Sequence, residues 1–493
     1  MKKLKNVMQR TINSTLLHKK GKAVILIFVV LLTFTNCFED LDDNTIATVD
    51  INDFVWKGMN AVYLYKSVAT DLNNEANNNA RFSTNEDYLS YLNSFETPED
   101  LFESLLYMPN TIDKFSRITS NYFDLQNQQQ GTTITNGIEF NLYRLSEESA
   151  EVFGAITLVL NNSIADNLGL QRGQIFRAVN GQTLSTQNVG SLLSTDSYTL
   201  NFADYDNNGT LMTEDDIITL NGESTTLTNA PYTENPIHRA QIIELGDDKV
   251  GYLMYNGFNS NFDNALNDVF ANFQAEGITE LVVDLRYNGG GSVQTAAYLG
   301  SMITGQFTGQ VFSKLFYNEN LQNRNRDFLF TNTLEGGTPI NHFNLSKVYV
   351  LTTKLRTASA SELLINSLRP YIDVVVIGEN TIGKTQASIT IYDSVDLSLD
   401  NVNPNHTYAM QPLVANSANV DDLLVPTDGL EPTFELTETP STLRTLGNID
   451  EPLLEVVLFD IIMSRGINFE PHETLPLFGG NYISPFEQDM YID

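Results

Sequence analysis

The stretch KVYVLTTKLRTASASELLINSLRPYIDVVVIGE, residues 347–379, contains two short apolar runs with a helical pattern between them. The runs at 347–353 and 373–378 are rich in β-branched residues, which is typical of buried strands. Between them, residues 359–368 begin with Ser359, a residue type that often caps a helix, and continue with apolar side chains at helical spacing. This unit predicts two parallel strands joined by a crossover helix.

The same alternation of strand and helix extends upstream. A strand pattern in KVGYLMYNGF is followed by a helical pattern that ends at Gly277, and a second strand in ITELVVDL is followed by the helical SVQTAAYLGSMIT. We therefore predict an α/β domain with a largely parallel sheet over residues 236–440. Functional groups in such domains gather beyond the carboxyl ends of the strands.

The flanking regions have other periods. Residues 51–127 carry apolar side chains at helical spacing, whereas residues from about 140 form short strand patterns around the tight turn Asn180-Gly181. One clear helix, EPLLEVVLFDIIMS, follows the core. The predicted fold class is multidomain α/β, and the predicted segments are a signal peptide (1–36), an acidic tether (37–50), a helical N-terminal domain (51–135), a small β domain (140–230), the α/β core (236–440) and a C-terminal helical extension (441–493).

Composition and charge limit the function. The chain has 493 residues and a formal net charge of −33, which argues against nucleic-acid binding because that needs a basic surface. The first 36 residues contain Lys and Arg but no Asp or Glu, and Ala23–Thr35 are apolar or hydroxyl residues of signal-peptide length. This basic leader predicts export.

The lone cysteine, Cys37, directly follows the apolar leader, and FTNC resembles a bacterial lipobox. We expect a lipid anchor at Cys37, hence a lipoprotein of the cell envelope, periplasmic or surface-exposed, in the outer membrane. The alternative is an incidental cysteine in a cleavable leader. The acidic residues 39–43 are either a solvated linker or similar to the acidic export signal of surface lipoproteins in the Bacteroidetes-type outer membrane.

The segment DYDNNGTLMTED, residues 204–215, has oxygen-bearing side chains where a calcium loop would need them. Its twelfth position is Asp215 rather than a bidentate glutamate, and no flanking helices are evident. We favour a hairpin turn over a metal site, and expect no metal or cofactor.

Two turns after buried strands carry candidate chemistry. VVDLRYNGGG, residues 282–291, brings backbone N–H groups close to a ligand, either a phosphate or an oxyanion, although it lacks the P-loop ending. Ser359 stands at a strand–turn–helix junction, where helix N–H groups would stabilise negative charge. It is therefore either a nucleophile or a helix cap.

A nucleophilic serine needs a proton acceptor. None of the histidines lies in a glycine-marked turn after a buried strand, whereas Lys384 follows the next strand of the same unit, in VVVIGENTIGKTQAS. A lysine becomes a base when burial lowers its pKa. The alternative is a surface lysine in a loop.

Taken together these motifs resemble the C-terminal processing peptidases, or tail-specific proteases. SASE (359–362) and GENTIGK (378–384) are similar to the family's nucleophile and lysine motifs, and the separation of 25 residues between Ser359 and Lys384 agrees with the family. DLRYNGGG resembles the turn that forms the oxyanion hole. DKFSRI (113–118) and DGLEPTFEL (428–436) are similar to two further motifs of the family.

The resemblance implies a crotonase/Clp-protease-like α/β core with a Ser/Lys dyad, and assigns the oxyanion hole to Gly290, with Gly291 a near alternative, and to the N–H of Ala360. Many family members have Gln four residues after the lysine to orient it. This chain has Ser388 there and Gln386 two residues earlier, so the third catalytic member is open between them.

The small β domain resembles a PDZ domain in the order of Gly169-Leu170, Arg172-Gly173 and Val179-Asn180-Gly181. Such domains add a peptide to a sheet edge and hold its terminal carboxylate on backbone N–H groups. We expect the carboxylate loop near Phe153, Gly154 and Ala155. The alternative is an unrelated small β domain with Asn-Gly turns.

The resemblance implies a serine endopeptidase, a hydrolase whose partners are protein or peptide substrates with free C-terminal tails. Two alternatives remain: a catalytically inactive PDZ-containing surface binding lipoprotein, and a surface nutrient-binding lipoprotein that would bind glycans. The oligomeric state is left open.

Overall fold

The computed structural model describes residues 48–72, 82–210, 215–463, 476–481 and 488–492. The predicted signal peptide, most of the acidic tether and Cys37 lie outside the described residues. Within the described ranges, no helix has the length and apolar character needed to span a bilayer.

The N-terminal region is helical, as predicted. Its first helix buries Phe54, Val55 and Met59 in a core shared with the α/β domain. Thr97 caps the third helix by accepting the N–H of Asp100 at 3.1 Å. Within residues 48–72 and 82–129, the helices are α1 (Thr48–Val62), α2 (Asn85–Leu92), α3 (Pro98–Leu105) and α4 (Tyr122–Gln129), with strand β1 (Arg117–Thr119) before α4.

The β domain follows. Asn180 and Gly181 both have positive φ, 52° and 75°, as the predicted tight turn requires. Its elements are β2 (Thr132–Thr135), β3 (Ile138–Arg144), β4 (Val152–Val159), α5 (Ile164–Asn167), β5 (Ile175–Val179), β6 (Gln182–Thr183), α6 (Val189–Leu193), β7 (Ser197–Asp206), β8 (Ile217–Thr228) and β9 (Ala230–Thr233). The main sheet runs in the order β3-β4-β5-β7-β8, and β2 pairs with β9.

The prediction of a carboxylate loop near Phe153, Gly154 and Ala155 is wrong. These residues lie inside β4, which is hydrogen-bonded to β3 on one side and to β5 on the other. A β-carbon on Gly154 would stand 2.0 Å from the Phe176 ring, so this glycine serves close packing rather than a loop. The backbone N–H groups of a central strand are already paired and cannot bind a ligand.

The core contains the predicted parallel sheet. Its elements up to the nucleophile are β10 (Ile237–Leu245), β11 (Asp248–Tyr255), α7 (Asp263–Glu276), β12 (Glu280–Asp284), β13 (Gly291–Ser292), α8 (Val293–Thr304), β14 (Val311–Tyr317), β15 (Arg326–Leu329) and β16 (Lys347–Thr352). Then come α9 (Ala360–Leu368), β17 (Asp373–Gly378), β18 (Gln386–Ser388), β19 (Ile391–Tyr392), β20 (Ala409–Gln411), β21 (Leu413–Ala418), β22 (Phe434–Glu435) and α10 (Pro452–Met463).

The central sheet has the order β10-β11-β12-β16-β17-β22, and every pairing except β10–β11 is parallel. Its two faces alternate along each strand: Val283 packs into the core that contains α7, α8 and α9, while Val282 packs into a second core with Leu453 and Leu454 of α10. This layering brings the carboxyl ends of β12, β16 and β17 to one edge.

A second sheet, which the sequence did not predict, lies beside that edge. After α10 the chain forms β23 (Leu477–Gly480) and β24 (Met490–Tyr491). The second sheet has the order β13-β24-β18-β21-β14-β15, and β23 joins the β domain beside β3. The prediction that residues 441–493 form a helical extension is therefore wrong for Leu477–Gly480 and Met490–Tyr491.

Candidate active site

Ser359 occupies a strained turn at the start of α9. Its φ of +64° and ψ of −114° are unfavourable for a residue with a β-carbon, so the surrounding structure must hold the turn in place. The side chain is fully buried, and Oγ has no hydrogen-bond partner. An unpartnered buried hydroxyl in a strained strand-to-helix turn is better suited to attack than to capping.

Glu362 connects the nucleophile turn to the lysine loop. Its carboxylate accepts the N–H of Ser359 at 2.7 Å, of Gly383 at 2.6 Å and of Lys384 at 2.9 Å, and also the hydroxyl of Thr381. Burial raises the pKa of Glu362, while these four donors lower it. The sequence does not reveal this role of Glu362, because acidic residues are common in the first turn of a helix, where they interact favourably with the helix dipole.

Lys384 is fully buried, as its catalytic interpretation requires. Its Nζ lies 5.0 Å from the centre of the Phe115 ring, donates to the carbonyl of Gln488 at 2.9 Å and forms an ion pair with Asp489. Burial lowers the pKa of the Lys384 amine, and the Asp489 carboxylate opposes that change. In this conformation the Asp489 carboxylate therefore favours the ammonium form of Lys384, against the effect of burial.

The dyad contact itself is absent here, since Ser359 Oγ has no partner. Neither candidate for the third member contacts the amine directly. Gln386 donates to the hydroxyl of Tyr65 at 3.3 Å, away from the lysine. Ser388 donates to the other carboxylate oxygen of Asp489 at 2.6 Å and so acts on Lys384 only through Asp489.

The glycine turn lies against Ser359. A β-carbon on Gly290 would stand 2.7 Å from Ser359 Oγ and 2.8 Å from the Asp489 carbonyl oxygen, so only glycine fits there. The N–H of Gly290 donates to Asn288 Oδ1 at 2.9 Å, whereas the N–H of Gly291 donates to the Asp489 carbonyl at 2.8 Å. In this conformation Gly291, the near alternative, contacts a peptide carbonyl, and Gly290 does not.

Ser361 connects the two turns. A serine in the first turn of a helix commonly caps it, but the hydroxyl of Ser361 instead donates to the carbonyl of Asn288 at 3.1 Å. Ala360 is the first residue of α9, and the first N–H groups of a helix have no partner within it. The position of Ala360 is compatible with its predicted place in an oxyanion hole.

Below the glycine turn, Arg286 holds the DLRYNGGG stretch in place. The guanidinium is fully buried and donates to Asp284 at 2.9 Å, to Glu438 at 2.8 Å and to Glu451 at 2.7 Å. Glu451 also accepts the N–H of Leu454 at 3.0 Å at the start of α10. The turn is thereby connected to the helix that covers the far face of the sheet.

Glu438 should make the free energy of unfolding depend on pH in the acid range. Burial alone would raise its pKa, but Arg172 and Arg286 beside it lower the pKa to about 2. The pKa of Glu438 in the folded protein lies below its unfolded value of about 4.3. The interaction of the ionised Glu438 with these two arginines therefore stabilises the fold above pH 4.3, and this contribution is lost as pH falls towards 2. We expect the difference in unfolding free energy between wild type and Glu438→Gln to shrink over that window in chemical denaturation, and a constant difference would contradict the assignment.

A cavity of about 880 Å³ lies between the β domain and the core. Its lining includes Ile138, Phe140 and Leu193 from the β domain, Gly290 from the core, and Phe478 and Asp489 from the segments after α10. Ser359 does not line the cavity, but Gly290, which lies against Ser359, does. Among the residues that the structure describes, no three His, Cys, Asp or Glu side chains cluster as a metal site, and residues 211–214 of the Asp204–Asp215 turn are outside them.

Two family models match the chain. Residues 249–398 match peptidase family S41, and residues 50–117 match the peptidase S41 N-terminal domain. The first range contains both Ser359 and Lys384. These two parts of the chain are therefore similar to the domains of peptidase family S41. The predicted class, a serine-type peptidase, is thereby confirmed at the level of the family.

The chain is also similar to several individual proteins. An S41 protease of Bacteroides fragilis superposes with a TM-score of 0.65 at 27% identity, covering 83% of this chain and 97% of that one. A carboxyl-terminal-processing protease of Picosynechococcus sp. is 29% identical over 150 residues, which is 30% of this chain and 32% of that protein, so the match spans about a third of the relative. The photosystem II D1 C-terminal processing protease is 18% identical with a TM-score of 0.47, covering 83% and 98%.

Proposed function

We propose that this S41 chain is a serine endopeptidase that works through Ser359 and Lys384. The observation that carries the proposal is Glu362, whose single buried carboxylate holds both the strained nucleophile turn and the lysine loop. A surface serine and a loop lysine would need no such common anchor. Burial of Lys384 supports its role as a base, because it lowers the pKa of the amine.

The proposed reaction has two halves. Neutral Lys384 takes the proton of Ser359 Oγ as that oxygen bonds to the scissile carbonyl carbon, and the carbonyl oxygen becomes an oxyanion. The lysine then gives the proton to the leaving amine as the C–N bond breaks. Water, deprotonated by the same amine, hydrolyses the acyl-enzyme and restores Ser359.

The oxyanion would be stabilised by backbone N–H groups. Ala360 and the glycine turn remain the proposed donors, and Gly291 has the better support because its N–H already faces a carbonyl. Use of Gly290 would require its N–H to leave Asn288 Oδ1.

Substrate recognition belongs to the β domain in this proposal. We infer a PDZ-like role because the groove between β3 and α6 opens into the cavity that reaches Gly290. An extended peptide added to the β3 edge would lead into the site, and free C-terminal tails of proteins are the proposed substrates.

Attachment to the outer membrane through Cys37 is a separate proposal, which rests on residues 34–43 of the sequence. Loss of lipid labelling in Cys37→Ser would test it.

The test is hydrolysis by the purified chain without its leader, using an unfolded protein with an apolar C-terminus. We expect cleavage by the parent and none by Ser359→Ala. Ser367→Ala is the matched control, since it removes a buried, unpartnered hydroxyl from the same helix without touching the site. Equal cleavage by Ser359→Ala and the parent would refute the mechanism. If no form cleaves the protein or reacts with a serine-directed fluorophosphonate, the chain would be an inactive binding protein.

A further inference from the structure

Residues 488–492 occupy the site as an extended strand. β24 lies between β13 and β18 and is parallel to both, pairing Gly291 with Met490 and Ser388 with Tyr491. Without this segment the facing edges of β13 and β18 would be open. An open slot between two strand edges is the geometry that takes up an extended peptide by main-chain hydrogen bonding.

The segment uses polar groups of the proposed catalytic machinery. The carbonyl of Asp489 accepts the N–H of Gly291, and its carboxylate contacts both Lys384 Nζ and Ser388 Oγ. The carbonyl of Gln488 takes a second hydrogen bond from Lys384. These contacts satisfy Asp489 at a position where only 6% of it is exposed.

The apolar and aromatic side chains of residues 490–492 also make defined contacts with the core. Met490 is 1% exposed and packs into the main core, and Ile492 packs against the same core. The hydroxyl of Tyr491 lies 3.4 Å from the carbonyl of Phe258. The slot therefore takes an acidic side chain followed by a buried unbranched apolar one.

A second part of the chain occupies the β-domain edge. β23 pairs antiparallel with β3, from Leu477 opposite Tyr143 to Gly480 opposite Asn141. Phe478 packs on the β-domain core and lies under the Arg144 guanidinium. The edge that is proposed to bind substrate is thus filled by an internal strand.

We propose that the slot between β13 and β18 is a binding site for an extended peptide carrying an aspartate, and that residues 488–492 of this chain are its resident ligand, assisted by residues 476–481 at the β3 edge. The ligand lowers the activity of the enzyme in two ways. Its backbone fills the space beside Ser359 and Gly291, and its carboxylate pairs with Lys384 as an ammonium, which has no lone pair with which to accept the serine proton.

This inference rests on the proposed function, so its test needs a readout that is independent of hydrolysis. The full chain carrying Ser359→Ala cannot cleave, and Asp489→Asn in the same chain weakens its own resident ligand. We expect this full-length double variant to bind a fluorescent peptide of residues 476–493 in an anisotropy titration, and to bind the same peptide with Asn in place of Asp489 at least about tenfold more weakly. Failure of the first peptide to bind, or equal affinity for both, would overturn the proposal.

The activity test uses the full chain, because truncation exposes the site of Met490 and could unfold the core. Asp489→Asn should raise kcat/KM by about tenfold or more if the slot is open in a tenth of molecules or fewer. Asp422→Asn, which alters an exposed carboxylate paired with Lys314 at 2.7 Å, is the control and should change nothing. A fall in activity in Asp489→Asn would show that Asp489 completes the site rather than blocks it, and would refute the proposal.

The two proposals fail separately. Peptide binding without hydrolysis by any form would retain the ligand site and refute the peptidase. Hydrolysis that is unchanged by Asp489→Asn, with no peptide binding, would retain the peptidase and refute the resident ligand.

Discussion

Replacing Lys384 with methionine should lower kcat/KM by about 10²- to 10⁴-fold, the range that a positioned general base contributes. Methionine keeps an unbranched chain of similar size in a fully buried position but has no amine to accept the Ser359 proton. Glu362 contacts the backbone N–H of residue 384, so the loop should keep its anchor. The measurement is single-turnover hydrolysis of one peptide by the variant and the parent.

Whether the hydrolysis rate falls or rises in Lys384→Met distinguishes two possible roles of the lysine. If Lys384 served only to hold the 488–492 segment, its removal would release Asp489 and increase the rate. Lys354→Met, at an exposed loop position before the nucleophile turn, is the control and should stay within about threefold of the parent. A Lys384→Met variant that matches or exceeds the parent would remove the base from the mechanism.

Replacing Arg286 with methionine should lower the free energy of unfolding by about 3–5 kcal/mol, because removal of one partner leaves buried charges uncompensated. The guanidinium contacts three carboxylates, those of Asp284, Glu438 and Glu451, and all four residues are buried. Glu438 would retain Arg172. Chemical denaturation followed by circular dichroism measures the change.

A surface arginine provides the comparison. Arg324 is exposed in a short 3₁₀ helix, and Arg324→Met should change the unfolding free energy by no more than about 0.5 kcal/mol. The Arg286 variant should also lose activity, because the residue directly precedes the glycine turn. Equal stability of the two variants would mean that the buried network has no structural role.

The parallel core was predictable because its strands are short, apolar and separated by helices with clear ends. The αL conformation of Gly277 at the end of α7, with φ of 70°, confirms one such end. The meeting of the Ser359 turn with the Lys384 loop follows from the same topology, since both leave the carboxyl ends of neighbouring parallel strands. Local pattern and crossover handedness were sufficient for this part of the site.

The rest of the site depends on contacts that leave no local pattern. Asp489 contacts Lys384 although the two residues are 105 positions apart in sequence. The polar residues around Asp489 show no alternating pattern that would predict a strand. Phe153–Ala155 were misplaced because a glycine inside a strand, chosen for packing against Phe176, looks the same in sequence as a glycine in a loop. Ser388 was one of two candidates for orienting the lysine, and its contact with Asp489 could be found only in the fold.

The most direct test of the Ser359/Lys384 assignment is intact-mass analysis after treatment with a serine-directed fluorophosphonate. We expect one adduct, located on Ser359 by peptide mapping, which forms faster in Asp489→Asn than in the parent and much more slowly in Lys384→Met. Labelling of Ser359→Ala at the same rate as the parent would contradict the assignment. Equal labelling rates in Lys384→Met and the parent would also contradict it.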